Sequence, residues 1–157
     1  MQDDRRNKVI IMGAAGRDFH NFNVVFRNDP LTRVVAFTAA QIPDIAGRTY
    51  PPVLSGPLYP NGIPIVAESE LLSLINRDRL NWVYFSYSDV SHQDVMHTAS
   101  TVLAAGANFA FLAPESTAIA PSKPVISVCA VRTGVGKSSA TCRIARFFLE
   151  RRRQVSV

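Results

Sequence analysis

KVIIMGAAGRDFHNFNVVFRNDPLTRVVAFT, Lys8 to Thr38, is the stretch whose reading decides the fold. Lys8-Val9-Ile10-Ile11-Met12 is a short apolar run of the kind found in a strand buried on both faces. It enters the small-residue turn Gly13-Ala14-Ala15-Gly16-Arg17-Asp18. A helix follows, with Phe19, Phe22 and Phe26 at helical spacing. Asn28, Asp29 and Pro30 stop it, and Arg33 to Thr38 is a second strand. Strand, helix and strand make an opening βαβ unit. They predict an α/β fold with a Rossmann-like parallel sheet and flanking helices.

The turn carries G-x-x-G at Gly13 and Gly16, but Phe19 stands where a third glycine would complete a dinucleotide fingerprint. The second strand ends in Thr38-Ala39-Ala40, without the acid that would hold the ribose of NAD. The reading is therefore an anion site at a helix N-terminus, formed by Gly13, Ala14, Gly16 and Arg17, rather than a nicotinamide site. Its bland counterpart is a tight turn that needs small residues.

Outward from this unit, strand and helix continue to alternate. Ala39 to Gly62 carries five prolines and three glycines, and that punctuation predicts no regular structure there. Its apolar and aromatic residues predict that it packs, as a flap over the strand ends or as a contact surface for a second copy in a homodimer. Ile63 to Val66 reads as a strand, and Glu68 to Asp78 as a helix with Leu71, Leu72 and Ile75 inward. Trp82 to Ser86 is the next strand, and Asp89 and His92 stand at its carboxyl end, where α/β sheets bind ligands. These two extend the candidate anion site. Ser91 with Asp94 matches a capping box, the structural alternative there. A helix with Val95, Ala99, Val102 and Leu103 on one face follows and ends at Gly106. Asn108 to Leu112 is a fifth strand, and the proline-bearing connection Ala113 to Lys123 marks a boundary between residues 1–122 and 123–157.

Beyond that boundary lies VISVCAVRTGVGKSS, Val125 to Ser139. An apolar run, Val125 to Val131, predicts a strand. Arg132-Thr133-Gly134-Val135-Gly136 turns, and Lys137-Ser138-Ser139 opens a helix with Ala140, Ile144, Phe147 and Phe148 inward. This is the order of a phosphate-binding loop. Glycines let backbone N–H groups approach phosphate oxygens, and the helix N-terminus points its positive dipole end at the same spot. Lys137 supplies a charge for the β- and γ-phosphates, and Ser138 a hydroxyl for Mg²⁺. The strict pattern would place a glycine at Val131, so the loop is a deviant form. The reading gives ATP, or GTP, as the nucleotide. Gln154 onward predicts another strand. A single βα unit cannot bury its own faces, and a P-loop domain needs several strands and a later acidic residue to complete the Mg²⁺ site, so the chain is expected to be the front of a longer protein.

Composition bounds the rest. With 47% hydrophobic residues the chain can build a core. No apolar run approaches a membrane span, and the N-terminus lacks the pattern of a secretory signal. Cys129 and Cys142 have no metal-ligand spacing, and the cytoplasm is the expected compartment. The net charge of +5 is concentrated at the ends. Between Val34 and Val131 the balance is −3, so a nucleic-acid groove is not expected.

Four blocks, KVIIMGAAGRDFHNFN, YPPVLSGPLYPNGIPI, YSDVSHQDVMH and KPVISVCAVRTGVGKS, together resemble cyclic 2,3-diphosphoglycerate synthetase and its bacterial relatives, often called GTPases. The resemblance spans nearly the whole chain from Lys8. It implies a Rossmann-like domain before a larger P-loop domain, and an ATP- and Mg²⁺-dependent closure of a phosphoanhydride between the two phosphates of 2,3-diphosphoglycerate. Residues Arg132 to Ser139 take the P-loop positions. Under that resemblance, Lys137 acts on the transferring phosphoryl group and Arg132 neutralises the small phosphorylated substrate it implies. A GTP-dependent switch or metallochaperone-like NTPase is the alternative.

Overall fold

The computed structural model describes residues 6–13, 16–40, 47–88, 90–129 and 135–156. The chain divides into two units, Met1–Ile119 and Ala120–Val157.

The first unit is a six-stranded sheet in the order β3-β4-β2-β1-β5-β6. Its strands are β1 (Asn7–Met12), β2 (Thr32–Ala39), β3 (Thr49–Tyr50), β4 (Ile63–Ala67), β5 (Trp82–Phe85) and β6 (Asn108–Ala110). Strand β1 lies between β2 and β5, parallel to both. Val9, Ile10, Ile11 and Met12 are all at most 1% exposed, as an apolar run covered on both faces requires. One core contains Val9 and Ile11 with Phe22, Phe26 and Phe37; the other contains Ile10 and Met12 with Leu74, Val83 and Val102. The chain passes from β1 to β2 and β4 on one side, then returns to β5 on the other. This places the topological switch between β1 and β5, at whose carboxyl ends such folds form a crevice.

The helices are α1 (Arg17–Asn21), α2 (Pro52–Ser55), α3 (Leu71–Asp78), α4 (His92–Ala104) and α5 (Pro114–Thr117). Helix α1 runs directly into a π-helical turn, Phe22–Phe26, so the aromatic spacing does produce a helical stripe, but not a uniform one. A register shift between Val9 and Ile10 inserts one residue into β2. It brings Val34 and Phe37, three apart, into the same core.

Several expectations need correction. The sheet is mixed, because β3 pairs antiparallel with β4. The proline-rich segment therefore does hold short regular elements, β3 and α2, made possible because Pro51 and Pro52 follow the strand and open the helix. Tyr50 and Tyr59 carry it into the core, while Val53 stays exposed. On α3, Leu74 replaces Leu72 in the core, since Leu71, Leu74 and Ile75 make the i, i+3, i+4 stripe of the helix and Leu72 falls off it. On α4, Ala99 and Val102 are buried but Leu103 is exposed.

In the second unit the helix is α6 (Lys137–Glu150). The expected strand before it is not formed over Val125–Cys129, and none is formed over 154–156. A strand exists through its ladder, and among the described residues this unit offers no partner strand. Among the described residues of this unit, likewise, no sheet is present for α6 to pack on. Ala140 and Phe147 are exposed, and Ile144 and Phe148 are half-buried rather than inward. Ile126, Ile144, Phe147 and Phe148 line a shallow groove with Arg143. Among the described residues no helix is long and apolar enough to cross a membrane.

Candidate nucleotide and anion sites

Helix α6 starts where the sequence places it. Gly136 has φ +89° and ψ 20°, a left-handed conformation that suits glycine and turns the chain into the helix. The Gly136 carbonyl accepts the first helical bond, from Ala140 N–H at 3.1 Å. No side chain caps the helix start. First-turn N–H groups without a side-chain cap are the local chemistry that takes a phosphate. Lys137 is half-buried, while Ser138 and Ser139 are exposed in the first turn and Val135 stands just before it. Thr141 Oγ1 donates to the Lys137 carbonyl at 2.9 Å, which ties the first turn to the second. Arg132, Thr133 and Gly134 lie outside the described residues. Among the described residues no three His, Cys, Asp or Glu side chains are grouped to hold a metal. Ser138 can provide one hydroxyl oxygen to a cation that takes most of its ligands from phosphate and water.

The second candidate site is the turn after β1. Gly13 and Gly16 have φ +133° and +146°. The residue that organises the turn is one the motif does not name. Asp18 is 1% exposed, and its Oδ1 accepts Gly16 N–H at 2.7 Å. A Cβ at Gly13 would lie 3.1 Å from Asp18 Cβ. The protein's own carboxylate thus stands at the start of α1, where an incoming anion would meet like charge. The requirement for glycine at 13 is met by packing against Asp18, which favours the tight-turn reading. Ala14 lies outside the described residues.

Arg17, proposed for an anion, donates from Nη2 to Thr117 Oγ1 at 3.0 Å. His92 is the first residue of α4 and is exposed; Asp89 lies outside the described residues. Ser91 is the cap of α4, its Oγ accepting Asp94 N–H at 3.1 Å and donating to Asp94 Oδ2 at 2.6 Å. The capping reading holds for that pair.

Tyr87 was not singled out by any motif. It follows β5, yet its hydroxyl lies 3.2 Å from Thr38 Oγ1 on β2, across the position of β1. Burial, chiefly, pushes its hydroxyl well above the ordinary value near 10, and the neighbouring Glu68 carboxylate acts in the same direction. Asn21, 3% exposed, donates from Nδ2 to Ser86 Oγ at 2.9 Å and joins α1 to the end of β5. The crevice end of the sheet is therefore crossed by internal polar bonds. A tyrosine linked to a strand two places away leaves no signature in sequence spacing.

The chain is 55% identical over 150 residues to arginine synthetase ArcE of Thermococcus kodakarensis. The match covers 96% of this chain and 34% of that protein, so the chain spans about a third of the curated relative it matches. No family model matches the chain. Among solved structures, RSP, a Rex-family repressor, is similar with a TM-score of 0.52 and 13% identity, covering 95% of this chain and 64% of that one. A crystal structure of RSP with β-NADH gives a TM-score of 0.51 at 13% identity, over 94% of this chain and 64% of that one. UDP-D-quinovosamine 4-dehydrogenase from Vibrio fischeri gives 0.51 at 17% identity, over 69% and 79%. These likenesses establish the Rossmann-like fold of the sheet and nothing of its ligand.

Proposed function

We propose that this chain is part of an ATP-dependent ligase, with Arg132–Ser139 as its nucleotide-gripping turn. The observation that carries the reading is the 55% identity to arginine synthetase ArcE. The match omits about 7 of 157 residues, so it takes in the Gly136-Lys137-Ser138 sequence. The uncapped start of α6, with left-handed Gly136 before Lys137, supports a phosphate at that place.

The relative's name and the resemblance to cyclic 2,3-diphosphoglycerate synthetase share one chemistry. In each case the γ-phosphoryl group of ATP is placed on a substrate oxygen, ADP leaves, and a second nucleophile displaces that oxygen as phosphate. In arginine formation the displaced oxygen is on the carbon that becomes the guanidinium, and the nucleophile is nitrogen. In the cyclic synthetase the activated oxygen belongs to one phosphate and the nucleophile is the other phosphate. Lys137 offsets charge on the β- and γ-phosphates, and Arg132 neutralises the group that receives the phosphoryl. Mg²⁺, held through Ser138 and the phosphates, would supply further charge neutralisation.

We favour the arginine-forming reaction, because the relative's name supplies a product and the identity is high over nearly all of this chain. The test uses the full-length protein with ATP and Mg²⁺. One arm offers an amino acid with a ureido group plus ammonium; the other offers 2,3-diphosphoglycerate. Arginine with stoichiometric ADP and phosphate supports the first reading. A cyclic phosphoanhydride seen by phosphorus NMR supports the second. ADP release in neither arm would sink both.

A further inference from the structure

We propose that Arg17, His20 and Thr117 form a conformational clasp, which fixes where the chain leaves the first unit and makes that point follow the Gly13–Asp18 turn. This goes beyond the ligase reading and does not depend on which substrate the intact protein takes.

Helix α5 is a single turn, Pro114–Thr117, and one turn has little stability of its own. Its neighbours Ala113 and Ala118 are exposed, whereas Thr117 is 1% exposed. Two side chains of α1 hold it there. Arg17 Nη2 donates to Thr117 Oγ1 at 3.0 Å. His20 Nε2 lies 2.7 Å from the Thr117 carbonyl. A carbonyl accepts, so the imidazole carries its proton on Nε2. The Thr117 hydroxyl in turn donates to the Pro114 carbonyl at 3.2 Å, closing the turn of α5. Arg17 and His20 are three residues apart, on one side of α1.

The clasp stands between two places that matter. Ala118 and Ile119 alone separate Thr117 from the boundary at which the second unit begins. On the other side, Arg17 directly follows Gly16, the residue whose N–H bonds Asp18. A shift of the turn carries Arg17 with it, and the bond to Thr117 transmits that shift to the connector.

The test is native-state proteolysis of the 157-residue chain with a glutamate-specific protease. Cleavage after Glu115 requires α5 to open, and cleavage after Glu70, on the far side of the sheet, is the internal control. When opening is fast, the rate reports the open population. Arg17→Ala and His20→Ala are each expected to raise cleavage at Glu115 up to about ten-fold, the equivalent of one net hydrogen bond. His20→Gln, whose amide nitrogen can donate from a similar place, is expected to restore the wild-type rate. Gly16→Ala, strained at its φ of +146°, is expected to raise Glu115 cleavage by displacing the start of α1, where the Gly16 carbonyl accepts His20 N–H at 2.9 Å, while all three clasp side chains stay in the sequence. An unchanged Glu115 rate in His20→Ala overturns the clasp, as does an equal rise at Glu70 or a failure of His20→Gln to restore. A Gly16→Ala chain that opens no faster at Glu115 overturns the coupling to the turn.

Discussion

Replacing Gly62 with alanine should destabilise the first unit far more than the same change at Gly47. Both residues have positive φ, +74° and +83°. Forcing alanine into that region costs about 1 kcal/mol at either position. The surroundings then separate them. At Gly47 a new Cβ meets nothing within 4 Å. At Gly62 it would overlap the Tyr50 carbonyl oxygen and come within 2.7 Å of Thr49 Cγ2 and 3.3 Å of Pro52 Cδ. The nearest of these is backbone of β3 and the farthest a proline ring, neither of which can swing aside as the end of a flexible side chain does; Thr49 Cγ2 is a side-chain methyl. Overpacking of this kind adds about 1–3 kcal/mol, which brings Gly62→Ala to about 2–4 kcal/mol. Urea denaturation followed by tryptophan fluorescence measures it, because Trp82, the single tryptophan, lies on β5 and reports the first unit. If Gly62→Ala is no more destabilising than Gly47→Ala, the seating of β3 against the Gly62 turn is wrong.

Other outcomes follow from the same structure. In the full-length protein, Lys137→Met should weaken ATP binding by about ten- to a hundred-fold, the range for a lost charged hydrogen bond, and calorimetry reading undiminished affinity would end the phosphate-loop proposal. Asp18→Ala should cost about 1–3 kcal/mol, because Gly16 N–H loses its acceptor; a urea midpoint equal to wild type would show that the carboxylate does not hold the turn. Tyr87 has a raised hydroxyl pKa in the folded chain, so its contribution to stability is present below about pH 10 and is lost as pH rises above that value. Tyr87→Phe should therefore lose less stability than wild type between about pH 8 and about pH 11, and parallel losses in the two proteins would contradict the assignment.

The central βαβ unit was legible because a strand buried on both faces needs four consecutive apolar residues, and Val9 to Met12 supply them. The breaks at Pro30 and Gly106 were legible for local reasons of backbone chemistry. What escaped was long-range. The bulge in β2 is set by pairing with β1, not by any residue of β2 alone. Leu74 in place of Leu72 is a different case, because Leu71, Leu74 and Ile75 form an ordinary i, i+3, i+4 stripe that local spacing already carries. The run Val125–Cys129 reads as a strand by composition, yet pairing requires a neighbour that composition cannot provide. Within the candidate sites, glycine spacing located the end of β1 and the start of α6. It could not show that the turn after β1 is already supplied with a carboxylate by Asp18, two residues past Gly16.

The two margins of the sheet are built differently. On the β3 side the outer strand is two residues long and runs straight into Pro51 and Pro52, which have no N–H to offer a further strand. On the β6 side the outer strand is free of proline and is flanked by exposed Phe111. Lateral growth of this sheet, whether by a foreign peptide or by a misfolded neighbour, is thus directional: β6 can template another ladder, and β3 resists one.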